Sequence, residues 1–170
     1  KMSEYFVKTQ KPVSFRIVHS NPGNTTINLK NISKTHTHVP VIDIKDFTKS
    51  DFLTKRAKDN ALVPKEMAPI ELLIRCCKVE DNSMVPTLPE GSIIAVDSNV
   101  RKPKHGKIFL LSWKNKIIVR RILIKDKYVI FLPDNQSRDN SNIEVCSLKR
   151  INSEKDNPIL GKVVWSMGNA

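Results

Sequence analysis

The pattern of apolar and polar positions changes after Pro69. From there the apolar residues fall in short runs rich in β-branched and aromatic side chains, at residues 70–79, 92–96, 107–113, 116–124, 128–132 and 159–165. Turn-forming residues separate the runs, as in Pro89-Glu90-Gly91 and Lys104-His105-Gly106. Repeated short strands at this spacing predict a mostly β domain of short antiparallel strands.

The first 38 residues have a different pattern. They are polar, interrupted by prolines, and hold six lysine and arginine residues against Glu4 alone. Apolar residues do not recur there at the three- and four-residue spacing that a helix-turn-helix needs. We therefore predict an irregular basic N-terminal segment or linker at residues 1–38 and a folded domain at residues 39–170. A DNA-binding module is then either absent or located upstream of Lys1.

Between these two regions, residues 40–47 predict a strand-like entry to the domain, and residues 49–58 suit at most one short helical turn. His36 and His38 have the spacing of a metal-binding pair on one strand face. No cluster of cysteine or carboxylate residues nearby completes such a site. We expect ordinary linker histidines and no metal or other cofactor.

Composition narrows the class of protein. A chain of 170 residues with 39% hydrophobic content can bury one sizeable core. No apolar run approaches the roughly 20 residues needed to cross a bilayer, and the N-terminus lacks the apolar core of a secretory signal. We expect a cytoplasmic protein with no membrane partner. The cysteines are odd in number, and Cys76 and Cys77 are adjacent in an apolar run, so we predict buried thiols for them and for Cys146.

The net charge of +12 favours association with polyanions but identifies none. Basic residues are spread along the chain, since residues 39–170 still hold 23 lysines and arginines against 16 acidic residues. The densest basic run, Arg101-Lys102-Pro103-Lys104, has the composition of a turn. A surface that only keeps the protein in solution and a surface that binds nucleic acid both remain open.

The most specific motif is Ser83-Met84-Val85-Pro86-Thr87-Leu88, because serine/lysine peptidases present their nucleophile in a Ser-Met-x-Pro-Thr-Leu run. A serine hydroxyl becomes a good nucleophile when a neighbour accepts its proton, and in these enzymes the neighbour is a lysine kept neutral by burial. The position where that lysine is expected, 37 residues after Ser83, holds Arg120. A guanidinium stays protonated to about pH 12 or beyond and offers no lone pair, so Arg120 cannot act as general base.

Residues 79–97, reading VEDNSMVPTLPEGSIIAVD, resemble the nucleophile segment of the LexA-type peptidase family, which includes LexA, the UmuD protein and phage repressors. The resemblance places Ser83 at the nucleophile position and Arg120 at the position of the lysine. It also singles out residues that support the motif, namely Met84, Pro86, Thr87, Gly91 and Asp97.

Later segments are similar to the same family in order and spacing. Residues 118–122 resemble the strand that carries the lysine, residues 132–135 a turn that ends in asparagine, and residues 160–165 the closing strand. The similarity covers residues 70–168 and, more loosely, the chain from Val39. It implies the LexA/signal-peptidase fold.

The chain departs from the family at the bond that is cut. LexA-type proteins cleave themselves at an Ala-Gly or Cys-Gly bond upstream of the serine. Here none of the five glycines follows alanine or cysteine, and the corresponding region reads Asp46-Phe47-Thr48. The turn before the serine also differs, because Asp81-Asn82 stands where the family has Gly-Asp.

The loss of both base and scissile bond implies a catalytically silent member of the family. We expect a C-terminal dimerisation and regulatory domain of a LexA- or phage-repressor-like transcriptional regulator. The resemblance implies a homodimer whose helix-turn-helix domains, outside this chain, grip two half-sites of an operator. The alternative is an active self-cleaving peptidase with a substitute base, for which Lys116 and Lys78 are candidates.

Two other classes compete with this interpretation. A signal peptidase has the same serine motif, but it needs the lysine and a membrane anchor. A protein that binds nucleic acid through its own basic surface would show a steep salt dependence of binding.

Three structural expectations accompany the silent interpretation. If Arg120 is buried it needs an acceptor, and Asp81, Glu80 and Asp134 are candidates. We expect the dimer seam at residues 159–165, and we expect Trp113 and Trp165 to be core residues that can also anchor an interface.

Overall fold

The computed structural model of the protein describes residues 34–54, 57, 59–68, 73–135, 137, 143–153 and 155–168. Within these residues nine strands form one sheet. The strands are β1 (His36–Val41), β2 (Asp59–Pro64), β3 (Ile74–Lys78), β4 (Ile93–Asp97), β5 (Ile108–Trp113), β6 (Lys116–Lys125), β7 (Tyr128–Leu132), β8 (Glu144–Ser147) and β9 (Ile159–Met167). The helical elements are α1 (Leu148–Ile151) and two 3-10 helices, Ile44–Thr48 and Lys65–Met67.

The strand order is β2-β1-β3-β4-β9-β5-β6-β7-β8. All neighbouring strands are antiparallel except β1 and β3, which are parallel and meet at Val41 and Cys76. The prediction of a mostly β fold built from short antiparallel strands is confirmed. The last strand, β9, lies in the middle of the sheet and joins β4 to β5.

The six predicted runs correspond to β3, β4, β5, β6, β7 and β9. The predicted strand at residues 40–47 is wrong beyond Val41, because a 3-10 helix occupies Ile44–Thr48. The Asp43 side chain caps that helix by accepting a hydrogen bond from the Lys45 amide at 2.9 Å. β1 begins at His36, so residues 36–38 belong to the sheet. Residues 1–33, most of the predicted N-terminal segment, lie outside the described residues.

Three clusters of buried side chains form the core. One lies between β1, β3 and β4 and includes Val39, Ile74 and Ala95. A second lies under β5 to β8 and α1 and includes Phe109, Trp113 and Phe131. The third includes two residues of the serine motif, Met84 and Leu88, among side chains from the Ile44–Thr48 helix and from β4, β5 and β6. The core therefore reaches directly into the loop that carries the motif.

Candidate functional site

The serine motif lies in the loop between β3 and β4. Two backbone hydrogen bonds close the base of this loop, from the Val79 amide to the Ser92 carbonyl and from the Gly91 amide to the Val79 carbonyl, each 2.8 Å. Gly91 has a φ of 83°, a conformation that glycine adopts without strain. The loop therefore returns sharply to the sheet at the position where the family resemblance singles out a glycine.

The core anchors the motif from within. Met84 is 0% exposed and Leu88 is 2% exposed. The Leu88 amide donates to the Met84 carbonyl at 2.8 Å, and the Val85–Pro86 peptide bond between them is cis. Pro86 and Thr87 lie on the outside of this turn. Burying the two apolar side chains on one side of the turn fixes the direction in which Ser83 points.

Ser83 is fully buried and its hydroxyl is bound on two sides. Its Oγ donates to Asp81 Oδ1 at 2.5 Å, and its backbone amide donates to the same carboxylate oxygen at 2.9 Å. On the other side, Arg120 Nη1 donates to Ser83 Oγ at 2.5 Å. The hydroxyl proton points to a carboxylate, and a guanidinium engages a lone pair of the hydroxyl oxygen.

Arg120 reaches Ser83 from β6, where it lies opposite Phe109 of β5. The residue is 6% exposed, and Nη1 also donates to the Val119 carbonyl at 2.7 Å. The structure thus brings together the two sequence-predicted site residues that are 37 positions apart. Because a guanidinium only donates hydrogen bonds, Arg120 can hold or polarise the serine oxygen but cannot accept its proton.

A second turn supports the serine loop from outside. The Asn135 amide donates to the Ser83 carbonyl at 3.0 Å, and Asn135 Nδ2 donates to the Asn82 carbonyl at 2.8 Å. Asn135 therefore binds the backbone carbonyls before and after the Ser83 side chain. Its role explains why a turn ending in asparagine accompanies the serine motif.

Asp134, one of the three predicted acceptors for Arg120, pairs with the neighbouring Arg121. Its two carboxylate oxygens accept from Arg121 Nε at 2.8 Å and Nη2 at 2.6 Å. Burial alone would raise the pKa of Asp134, but hydrogen bonds from Arg121 and Thr87 and the charge of Arg121 outweigh it and lower that pKa. Of the other predicted acceptors, Asp81 is linked to Arg120 through the Ser83 hydroxyl, and Glu80 is exposed.

The two lysines considered as substitute bases lie away from the serine. Lys116 is exposed at the start of β6, opposite Trp113, and four residues along a strand separate it from Arg120 by about 13 Å. Lys78 is exposed at the end of β3, opposite Ile93. Among the described residues, the groups that hydrogen-bond to Ser83 Oγ belong to Asp81 and Arg120.

Asp97, the last residue singled out by the motif, ends β4 and accepts from the Asn99 amide at 2.9 Å. Its carbonyl oxygen lies close to β9, where a Cβ added at Gly161 would come within 2.6 Å of it. Only glycine fits this close approach without a shift of the backbone. The glycine of the closing strand therefore serves packing between β4 and β9.

A cleft of about 240 Å³ lies beside the serine loop. Its walls include Thr87 and Leu88 of the loop, Arg121 of β6, and residues 163–166 of β9. Ser83 is not among the residues that line it, which agrees with its complete burial. A molecule in this cleft would touch the motif without reaching the hydroxyl.

The remaining candidate residues are the cysteines and two histidines. Cys76, Cys77 and Cys146 are buried and form no disulfide, as predicted. Burial raises the pKa of Cys76 to about 12 and also raises that of Cys77, so neither is a reactive thiolate near neutral pH. His36 and His38 face Pro64 and Leu62 across the β1–β2 pair. Within the described part of the chain, no three His, Cys, Asp or Glu side chains group as metal ligands would.

A serine in a Ser-Met-x-Pro-Thr-Leu turn, in a loop of one nine-stranded β sheet, defines the class as a serine-peptidase-like β domain. A protein-family model described as Peptidase S24-like matches residues 40–164, and the chain belongs to this family. The predicted resemblance to LexA, UmuD and phage repressors is confirmed at the level of the family. The comparison with individual curated proteins gave no match. Among the described residues, no helix is long and apolar enough to cross a membrane.

Proposed function

We propose that this chain is the C-terminal dimerisation and regulatory domain of a LexA- or phage-repressor-like transcriptional regulator, and that it does not cleave itself. The observation that carries the proposal is the hydrogen bond from Arg120 Nη1 to the buried Ser83 Oγ. A permanent cation stands beside the serine where a self-cleaving enzyme of this kind needs a proton acceptor.

Three features support catalytic silence. Arg120 cannot take the proton of Ser83 at any physiological pH. Ser83 is 0% exposed and does not line the adjacent cleft, so a reactant reaches its hydroxyl only when the surrounding loop shifts. The segment Asp46-Phe47-Thr48, where the family carries its scissile bond, lies in a 3-10 helix whose Asp46 and Phe47 are buried. A bond held in a buried helix is a poor substrate for attack.

For a domain that keeps the family fold but does not cleave itself, the role we propose is assembly of the regulator. A homodimer would bring two attached helix-turn-helix domains to an operator with two half-sites. We propose the seam at the end of β9, at residues 163–167, which overlaps the range 159–165 predicted from the sequence and extends past it to Met167. The β9 strand pairs with β5 only as far as Lys162. Residues 163–167 therefore pair with β4 along one edge, and their other edge has no paired strand among the described residues. That second edge is suited to pairing with a second copy of the chain.

Sedimentation equilibrium of the chain tests the dimer. Met167→Glu should weaken association, because Met167 lies at the proposed seam and is 44% exposed. Met67→Glu is the matched control, since Met67 is 41% exposed on the 3-10 helix Lys65–Met67. A monomeric wild-type chain, or equal weakening by both substitutions, would contradict the proposed seam.

Labelling by a serine-directed fluorophosphonate tests silence. We expect no labelling of the wild-type protein. Arg120→Lys should produce labelling that increases with pH, because a buried lysine has a lowered pKa and accepts the serine proton once it is neutral. Arg121→Lys is the matched control and should stay unlabelled, as should Ser83→Ala in the Arg120→Lys background. Labelling of wild-type Ser83 would refute catalytic silence.

One contact favours the alternative of an active peptidase with a substitute base. Asp81 Oδ1 accepts the hydrogen bond of Ser83 Oγ, so a proton acceptor is present even though neither lysine candidate is near. A carboxylate is a much weaker base than a neutral amine, which places this alternative second. If wild-type Ser83 is labelled and Asp81→Asn abolishes the labelling, the alternative replaces the silent domain.

A further inference from the structure

Basic residues gather at one end of the molecule, although they are scattered in the sequence. Three segments meet there: the loop at residues 101–107, the β6–β7 turn at residues 125–127, and α1 with the following loop at residues 148–157. We call this surface the basic pole. Its nine basic residues are Arg101, Lys102, Lys104, Lys107, Lys125, Lys127, Lys149, Arg150 and Lys155, and all nine are exposed.

Hydrogen bonds join the three segments in a closed ring. The Ile124 amide at the end of β6 donates to His105 Nδ1 at 3.1 Å, which ties the first segment to the second. The Leu148 amide donates to the Lys127 carbonyl at 2.8 Å, which ties the second to the third. Asn157 Nδ2 donates to the Arg101 carbonyl at 3.3 Å and closes the ring. The three segments that carry the nine cations are therefore neighbours at one end of the molecule.

The charge balance separates the basic pole from the rest of the molecule. Among the described residues, the pole carries nine lysines and arginines against Asp126 and Asp156. The other described residues carry eleven lysines and arginines and eleven aspartates and glutamates. The excess positive charge of the described residues thus lies at this end, whereas a charge that served only solubility would be spread over the surface.

The chemistry of the pole fits a phosphate backbone. Exposed lysines and arginines neutralise phosphates, lysine as a point charge and arginine through a planar fork of donors, and both release counterions. Stable attachment to a membrane surface takes an apolar anchor in addition to charge, and proteins that bind single-stranded nucleic acid stack its bases on aromatic side chains. Among the described residues of the basic pole and its edge, one large hydrophobic side chain is exposed, that of Tyr128 beside Lys127. A duplex needs neither feature.

We infer that the basic pole binds the phosphodiester backbone of duplex DNA, without reading its sequence. In a DNA-bound regulator this surface would add contacts to the DNA that flanks the operator. The inference does not depend on the state of Ser83, and Ser83→Ala should bind DNA as the wild type does. Its failure is therefore distinguishable from failure of the proposed catalytic silence.

Fluorescence anisotropy of a labelled duplex of about 20 base pairs, titrated with the full chain across a salt series, tests the inference. The pole variant is Lys104→Gln/Lys127→Gln/Lys149→Gln. The matched control, Lys45→Gln/Lys65→Gln/Lys78→Gln, removes three exposed lysines elsewhere and lowers the net charge equally. We expect the pole variant to bind at least about tenfold more weakly, with a salt slope reduced by roughly 2 to 3, and the control to stay within about twofold of the wild type.

Four results would overturn the inference. The wild type could fail to bind duplex DNA at low salt. Both triple variants could weaken binding equally, which would make the attraction a property of net charge. A third such result is that neither triple variant weakens DNA binding, which would place the contact in other basic residues. Finally, the wild type could bind vesicles containing anionic phospholipid but no duplex, which would make a lipid surface the partner.

Discussion

Arg120 and Arg121 are consecutive residues of β6 with the same side chain, yet they occupy different environments. Arg120 is 6% exposed and donates to a serine hydroxyl and a backbone carbonyl. The Arg121 side chain is 29% exposed and donates to both oxygens of Asp134 and to the Gly106 carbonyl. Alternation along a strand sends the two side chains to opposite faces of the sheet.

The two arginines therefore matter for different reasons: Arg121 for the architecture around the serine loop, and Arg120 for the chemistry of the serine. Arg121 and Asp134 form a bidentate ion pair, which joins β6 to the turn whose Asn135 binds the serine loop. Arg120 instead occupies the space beside a would-be nucleophile. The ion pair of Arg121 accounts for the position of the turn, whereas the contact of Arg120 with Ser83 is the one on which the proposed catalytic silence depends.

The largest expected contrast is the one between Arg120→Ala and Arg121→Ala in the free energy of unfolding. Removing Arg120 should lower the free energy of unfolding by about 3 kcal/mol, because a buried side chain is lost from a packed site and buried acceptors lose their donor. Removing the more exposed Arg121 should cost about 1 kcal/mol. Urea denaturation measures both values. Equal losses would remove the distinction between the two environments.

Ser83→Ala tests whether the serine now has a structural role. Its hydroxyl connects Asp81 with Arg120, and buried hydrogen bonds to charged groups are worth about 1.5 to 3 kcal/mol. We expect a loss of about 2 kcal/mol in the free energy of unfolding. The same denaturation experiment applies, with Ser98→Ala as a part-buried serine control that donates to the Leu73 carbonyl. A neutral or stabilising Ser83→Ala would show that the hydroxyl contributes nothing to the fold.

Asp134→Asn should have the smallest effect and the clearest pH dependence. The pKa of Asp134 is lowered in the folded protein from its ordinary value of 3.8, so the carboxylate stabilises the fold above that pH. This contribution is lost as the pH falls through the lowered pKa. We expect a cost of about 1 kcal/mol near pH 7 that shrinks below about pH 4. A pH-independent difference would mean that the pair with Arg121 contributes no charge-dependent stability.

Local pattern predicted the strands that are apolar and buried but not those at the margins of the sheet. β2 and β8 are the edge strands, and only one side of each is paired. β2 ends in Pro64, which an edge strand tolerates, and β8 has four residues with Val145 exposed. Neither shows a strong alternation in sequence, because pairing with a neighbour rather than local propensity places them in the sheet.

The sequence by itself determined the family, six of the seven strands that lie inside the sheet, and the occurrence of an arginine 37 residues after Ser83. These features depend on residue type and on spacing along one chain. Tertiary structure alone decided that Asp81 accepts a hydrogen bond from the Ser83 hydroxyl, that Asp134 pairs with Arg121 rather than Arg120, and that segments carrying dispersed basic residues meet at one pole. Each of these depends on the direction of a side chain or on contacts between segments distant in sequence, which hydrophobic periodicity does not encode.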